Sequence, residues 1–483
     1  MMNIVASKRE LVLLVIGCMI SSLPVWLTEY PPMSDLPQHV GQVSILLNYE
    51  KYSDIFRINL FTPYLLGYGL LYLVGLFVNL ILAAKILLII SFTLTVVFTR
   101  RLLINIKTNT ILAWLVIPVN YGFAFYYGFF TFLLVIPVLL IFLCYVFNYL
   151  DNPTVRKGVV LTLAGIVLFF SHAILYGIGM VISCLLANVK HGKPGFRYMV
   201  PFILTLPVSV LWYKGILASE AGSTLTTWDL GIFRIPQIFS YTIGMEAHIY
   251  YVLIGILLYA CPFLLGGRLT RKNWRWVPFI VLLSLFLFMP ILLSNTLFMY
   301  ERLSVILFIT YLLLFDLPQK IAAYKILMLS SFLLSWLSVI SYAFYEFGLE
   351  QNDFKSIVSI MPDDKRTLSL IFKTKSNVIP DHPLYLHFTN WVQTVKGGIV
   401  DFNFANFYPQ IVRFQNDKVP KVSYGFDSRP QTFDWNQHEG NMYDYYIIRS
   451  AKDVANPLFR EYRGHVEIIK HAGTWWLFKN TNR

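Results

Sequence analysis

The chain has 483 residues, of which 57% are hydrophobic and 13% charged, and its formal net charge is +13. A soluble protein carries nearer a quarter charged residues, so this composition excludes an ordinary soluble globule and points to lipid as solvent. The basic balance does not point to nucleic acid, because its charges stand in short loops between apolar runs, where orientation in a membrane accounts for them.

The shortage of charge is local. Met1 to Phe344 holds 22 Lys+Arg and 11 Asp+Glu among long apolar runs, whereas Tyr345 to Arg483 holds 17 and 15, a soluble balance. The sequence thus divides into a membrane region over 1–345 and a water-facing domain over 346–483. The four cysteines, Cys18, Cys144, Cys184 and Cys261, all lie in apolar segments, so the tail carries no disulfide framework.

At the N-terminus Lys8 and Arg9 precede an apolar run from Leu11 to Leu27. Thr28-Glu29-Tyr30-Pro31-Pro32 offers no small-residue cleavage site, so the run reads as a retained anchor rather than a signal peptide. Next comes the densest polar signal, Pro31-Pro32-Met33-Ser34-Asp35-Leu36-Pro37-Gln38-His39. The prolines break the chain, and Ser34 or Asp35 can cap a helix whose first turn accepts Pro37. Val40, Val43, Ile45, Leu46 and Leu47 give that helix an apolar side suited to the membrane surface. Asp35 and His39 are four apart and share its first turn. A carboxylate there suits a general base or a metal ligand, and equally a simple helix cap with His39 as a headgroup contact.

An apolar core of ~30 Å takes about 20 helical residues to cross. The apolar runs predict spans near 11–27, 81–98, 110–126, 129–148, 158–171, 173–189, 198–213, 249–266, 277–294, 303–317 and 325–344, eleven in all. Tyr64–Val78 is ambiguous. Treating it as interfacial puts 16 Lys/Arg on the cytoplasmic side against 5 outside (Lys51, Arg57, Lys214, Arg234 and Arg302). Treating it as a span would put Arg100 and Arg101 outside, against the positive-inside rule. The predicted protein is therefore a polytopic α-helical inner-membrane protein of about 11 transmembrane helices, with interfacial helices in its first external loop. Its N-terminus is cytoplasmic and its C-terminal domain extracytoplasmic. Runs at Thr367–Phe372, Tyr445–Ile448 and Thr474–Phe478, with a helix near Leu384–Val395, make that domain α+β.

Further external candidates are His172 in Ser171-His172-Ala173, a substrate contact or a solvated turn, and Glu301 with Arg302, a phosphate-binding fork or an interfacial ion pair. Tyr121 belongs to an aromatic cluster that reads as a membrane belt or a sugar-stacking surface. The polar stretch Asp427 to Tyr446 reads as a sugar-binding or merely solvated loop.

A short cytoplasmic N-terminus, one span, a long external loop with an acid just after the span, and a soluble domain after the last span together resemble the GT-C class of membrane glycosyltransferases. That class includes protein O-mannosyltransferases and lipid A aminoarabinose transferases. By motif the likeness covers only Ser34 to Val43. It implies transfer of a sugar from a polyprenyl-phosphate donor to a glycan, lipid or protein acceptor, with membrane lipid as surroundings and Asp35 as catalytic base. His39, His172, Glu301, Arg302 and Tyr121 would contact substrate. Many members pair the acid with a second one, whereas Leu36 follows here, so the need for a divalent cation stays open. The alternatives are a flippase, polymerase or ligase of lipid-linked polysaccharide, or a non-catalytic membrane accessory protein. No GxxxxGK[ST] loop is present, which argues against an ATP-driven pump.

The topology has a direct test. Reporter fusions after residues 101, 157, 193 and 272 should read cytoplasmic, and fusions near 223 and 420 external. A cytoplasmic signal at 420 would mean that Tyr64–Val78 spans.

Overall fold

The computed structural model describes residues 8–192, 195–217, 226–246, 248–293, 296–422, 425–454 and 458–483. Lys193, counted above among the cytoplasmic charges, lies outside them, as does the 218–225 stretch of the second external loop. The chain forms two compact units. The first comprises 1–24, 61–67 and 86–341, and the second comprises 25–60, 68–85 and 342–483.

The first unit is helical. Among the described residues of the whole chain, five segments are long and apolar enough to cross a membrane: Leu80–Asn105, Thr110–Tyr127, Phe130–Asp151, Ala173–His191 and Ala323–Ser359. The pair Phe196–Ile203 and Leu206–Ile216, bent by 48°, makes up to six. Several runs expected to span are cut shorter. Ile249–Leu264, Trp276–Phe288 and Ser304–Leu312 have 16, 13 and 9 residues. At 1.5 Å per residue the last is ~14 Å long, so its apolar run continues beyond its helix. Leu65–Gly75, the ambiguous segment, is a helix of 11 residues.

Two buried arginines tie helix ends together in this unit. Arg275 Nε donates to the Leu313 carbonyl at 2.7 Å, Nη2 donates to that of Phe315 at 2.7 Å, and Nη1 pairs with Asp316. The charge count treats Arg275 as a loop cation, yet it is 1% exposed and serves as an internal tie. Asp316 is the half-exposed partner. Arg234, fully buried, donates through Nη1 to the carbonyls of Phe286, Leu287 and Met289, pairs with Asp229, and lies 3.8 Å from the centre of the Tyr300 ring. A buried guanidinium is tolerable only with most of its donors met in this way, and of the Arg234 donors Nε alone has no hydrogen-bond partner among the described residues.

The second unit is built on a five-stranded sheet. Its strands are β2 (Arg366–Ile371), β3 (Ile399–Asp401), β5 (Tyr445–Arg449), β6 (Val466–Ala472) and β7 (Trp475–Asn480), ordered β6-β7-β5-β2-β3. β2 runs parallel to both β5 and β3, while β7 is antiparallel to β5 and β6. Three of these strands coincide with the runs singled out in the sequence. The expected helix near Leu384–Val395 is shorter, a 3-10 turn at Phe388–Asn390 followed by Trp391–Lys396. One face of the sheet packs Leu368, Leu370, Tyr446, Ile448 and Phe478 against Phe426, Phe433, Trp435 and Phe459. On the other, Trp475 meets Phe354, Tyr385 and Phe388.

The first loop belongs to this unit. Its strand β1 (Phe56–Ile58) pairs antiparallel with β4 (Val412–Phe414), and its helix Leu36–Leu47 packs on Trp391–Lys396. The expected membrane-surface helix is thus corrected, because every residue from Leu36 to Ile45 is buried. The reason is its polar stripe. Asp35, Gln38, His39 and Gln42 recur at the spacing of one helix face. Gln38 Nε2 donates to Asn390 Oδ1 (3.2 Å) and the Phe402 carbonyl (2.9 Å), and its Oε1 accepts from Phe404 N (3.0 Å). Gln42 Oε1 accepts from Val412 N at 3.0 Å. From the tail, Gln393 Nε2 donates to the Gly41 carbonyl at 2.8 Å, where a Cβ on Gly41 would come within 3.0 Å of that same atom. Lys85, at the start of the Leu80–Asn105 helix, donates to the Thr28 carbonyl at 2.5 Å.

Gln393 also accepts from Val400 N (3.3 Å) and Asn403 Nδ2 (3.0 Å). Gln393→Leu keeps the volume and removes one partner from each of these groups, at a cost of about 1–3 kcal/mol for each one left dry and unpaired. The variant should melt several degrees lower and free the first loop to protease. Unchanged melting would show that this tie contributes nothing.

Candidate functional site

Asp35 occupies the position before the first turn of Leu36–Leu47, with φ −93° and ψ −10°, but its side chain makes no capping hydrogen bond. Ser34, the other expected cap, donates instead to the Pro383 carbonyl at 3.0 Å. The Asp35 carboxylate turns toward the tail. Its Oδ1 lies 2.9 Å from His387 Nδ1, and His387 Nε2 lies 3.0 Å from Asp427 Oδ2. Asp35 and His387 are 6% and 5% exposed, and Asp427 reaches the surface more.

Burial alone would lower the proton affinity of His387. The hydrogen bonds and charges of Asp35 and then Asp427 outweigh it and raise the imidazole to about 9. Asp427 is also buried, which raises it, but the bond to His387 wins and holds it below the usual carboxylate range. His387 therefore stands as a cation with both nitrogens donating, and it is spent as an acid–base group near neutral pH. It positions Asp35. The three groups form a line, with the two ring nitrogens turned to opposite sides, and do not converge on one point as ligands of a divalent cation must.

One turn along, His39 Nδ1 lies 2.7 Å from the Tyr68 hydroxyl, which donates to Gln410 Oε1. Phe404 stands between the two imidazoles, its centroid 5.6 Å from that of His39 and 5.4 Å from that of His387. Asp35 and His39 are thus brought into one buried neighbourhood. Nothing in the sequence singled out His387, which is 352 positions from its partner. Asp427 opened the polar stretch taken as a sugar-binding loop. Four of the five aromatic residues of that stretch, Phe433, Trp435, Tyr443 and Tyr446, are core residues.

The other candidates lie in the helical unit. His172 is buried against the edges of Tyr64 (5.2 Å) and Phe132 (5.3 Å). Glu301 does not hold Arg302, which corrects the expected fork. Consecutive residues on a 3-10 turn diverge, so Arg302 Nε donates to the Phe298 carbonyl at 2.8 Å, Nη2 donates to that of Leu297, and the guanidinium lies over Phe129 at 4.0 Å. Burial of Glu301 pushes its carboxyl up to about 8, and its Oε2 has no hydrogen-bond partner among the described residues. Tyr121 is corrected as a stacking surface. It is 1% exposed, donates to the Ser21 carbonyl at 2.7 Å, and packs on Phe92, Phe125 and Trp336.

The electrostatics give a pH dependence. His387 is raised from an unfolded value near 6.5 to about 9, so its contribution is complete below pH ~6.5 and lost as pH rises through about 9. Asp427 is depressed, so its contribution is complete above pH ~3.9 and lost as pH falls below that. Thermal unfolding of the purified full chain should therefore peak between ~4 and ~6.5 and fall on the alkaline side by up to roughly 3 kcal/mol. His387→Gln should flatten that limb, and an equally steep limb in the variant would refute the assignment.

A family model for signal peptide peptidases (Peptidase_A22B) matches residues 115–219, under a quarter of the chain. That stretch contains a single carboxylate, Asp151, which is exposed and paired with Lys190 at 2.5 Å. No curated protein matches. Among solved structures, the arabinofuranosyltransferase AftD from Mycobacteria matches with a TM-score of 0.52 at 11% identity, over 98% of this chain and 40% of AftD. A mutant of AftD matches with a TM-score of 0.49 at 12% identity, over 98% and 41%. The chain thus spans about two fifths of the length of AftD. The likeness is one of fold: a mostly helical chain with several long apolar helices and a C-terminal sheet.

Proposed function

We propose that this protein is a membrane glycosyltransferase that moves a sugar from a polyprenyl-phosphate donor to a hydroxyl or amine acceptor on the extracytoplasmic face of the inner membrane. In this reading 1–345 is the membrane domain and 346–483 the extracytoplasmic domain. The acceptor is a glycan, lipid or protein. Asp35 is the base. As the acceptor oxygen or nitrogen bonds to the anomeric carbon, Asp35 takes the acceptor proton, and the bond from that carbon to the phosphate oxygen breaks with its electron pair leaving on the polyprenyl phosphate. His39 contacts substrate beside it.

The observation that carries this reading is the Asp35 side chain. It stands where a cap is made yet makes none, and it is oriented by a cationic histidine that is itself anchored by Asp427. An acid recruited only to end a helix would use its oxygens on the helix N–H groups. The likeness of fold to AftD over nearly the whole chain supports the class of reaction. One observation favours a second reading, that of a non-catalytic accessory protein: Asp35 is almost fully buried, as a purely structural tie to His387 would be.

Asp35→Asn separates the two, because its amide oxygen still accepts from His387. Removing the base should lower transfer by about 10²–10⁴-fold. The weakened charge-assisted bond should cost only about 1–2 kcal/mol. Asp427→Asn is the control, with a similar loss of stability and Asp35 intact, and it should lower transfer by under ~10-fold. Turnover of a polyprenyl-phosphate sugar by purified protein in lipid provides the readout. An active Asp35→Asn protein, or equal losses in both variants, would make Asp35 a tie and the accessory reading the better one.

A further inference from the structure

The β1–β4 ribbon places Arg57 directly opposite Arg413. The flanking ladder bonds, Asn59 N to the Ile411 carbonyl (2.7 Å) and Gln415 N to that of Ile55 (2.8 Å), make this a hydrogen-bonded pair, with Cα atoms about 5.5 Å apart. Like charges directly opposite on one face of a ribbon are destabilising. The opposite face needs no such cost, since Phe56 packs on Phe414 at 4.7 Å and Val412 is buried.

Among the described residues no carboxylate pairs with either arginine. Arg413 Nε is buried without a hydrogen-bond partner, and its guanidinium lies over Tyr408 at 4.8 Å. Burial, then the charge of Arg57, pushes Arg413 below its ordinary range. Both side chains are half-buried, and Ile58 (39%) and Leu60 (63%), which alternate with Arg57 along the chain, are exposed on the other side of the ribbon. Two cations held side by side without a counter-charge, on a two-stranded ribbon whose other side exposes apolar side chains within reach of its edge, suit an anion that carries a hydrocarbon tail.

We propose that Arg57 and Arg413 form a clamp for the phosphate of a lipid headgroup, each offering its planar fork to the phosphate oxygens. The clamp does not depend on the transferase reading. The bound phosphate supplies the charge the ribbon lacks, and the acyl chains pass over the ribbon edge toward Ile58 and Leu60.

The test uses the purified full chain in detergent with three probes: short-chain phosphatidic acid, the matching diacylglycerol, and inorganic phosphate. Phosphatidic acid should bind and raise the melting temperature, diacylglycerol should not, and inorganic phosphate should compete only at far higher concentration. Arg57→Gln/Arg413→Gln should weaken phosphatidic acid binding by at least ~10-fold. Without ligand it should melt no lower than the wild type, because a like-charge pair has gone. Should the double variant fold poorly, Arg57→Gln alone reads the same loss of binding. Arg57→Lys/Arg413→Lys, which keeps charge and loses the forks, should fall between. Wild-type affinity in the Gln variants, no binding to the wild type, or inorganic phosphate binding as tightly as phosphatidic acid would each overturn the proposal.

Discussion

The second unit depends on the burial of a polar helix face. A helix carrying Asp35, Gln38, His39 and Gln42 along one stripe has two physical options: leave the stripe in water, or match every donor and acceptor. This chain takes the second, and the matching groups come mostly from the tail, with Tyr68 of the first loop meeting His39. Each bond contributes perhaps 0.5–1.5 kcal/mol net, whereas each group left dry would cost about 1–3. The stripe therefore works as a specificity device more than as a source of stability, since the helix has one acceptable seat. β1 on β4, Gln393 on Gly41 and Gln351 on Tyr30 repeat the arrangement, with segments more than 300 positions apart completing each other's hydrogen bonds.

Asp35 is the one member of the stripe whose partner is charged. A carboxylate excluded from water needs a cation or must give up its charge. His387 supplies the cation because a second carboxylate, Asp427, stands behind it. The resulting line of acid, base and acid holds Asp35 in one orientation. That orientation is what a group meant to take a proton from a bound substrate requires.

The helical unit solves the same problem with arginine. Arg234 and Arg275 lie fully inside it, and each spends its donors on the carbonyls left open at the ends of helices, with one carboxylate per guanidinium. Those helices are short and broken, so they expose more unpaired backbone ends than uninterrupted spans would. The charge that sequence reading credits to membrane orientation is thus partly structural.

Composition alone determined that this chain has the character of a membrane protein up to Phe344 and an ordinary charge balance after it, because both are sums over many positions that no single contact can reverse. Local pattern also settled three strands of the tail and the break at Pro31-Pro32, which follow from neighbours in the chain. Asp35 was legible as a residue of interest for the same reason, its place after the first apolar run. Tertiary structure alone decided the rest. Whether Asp35 caps a helix or faces a histidine turns on His387 and Asp427, and no periodicity links positions 35, 387 and 427. The apolar side of the Leu36–Leu47 helix suggested a membrane surface, but the polar side, matched group for group by the tail, buried it. Tyr121 and Arg302 carried the right chemistry for a substrate, and their packing committed the one to a hydrophobic interior and the other to backbone carbonyls. Sequence records which groups are present. Long-range hydrogen bonding and burial decide which of them are already spent.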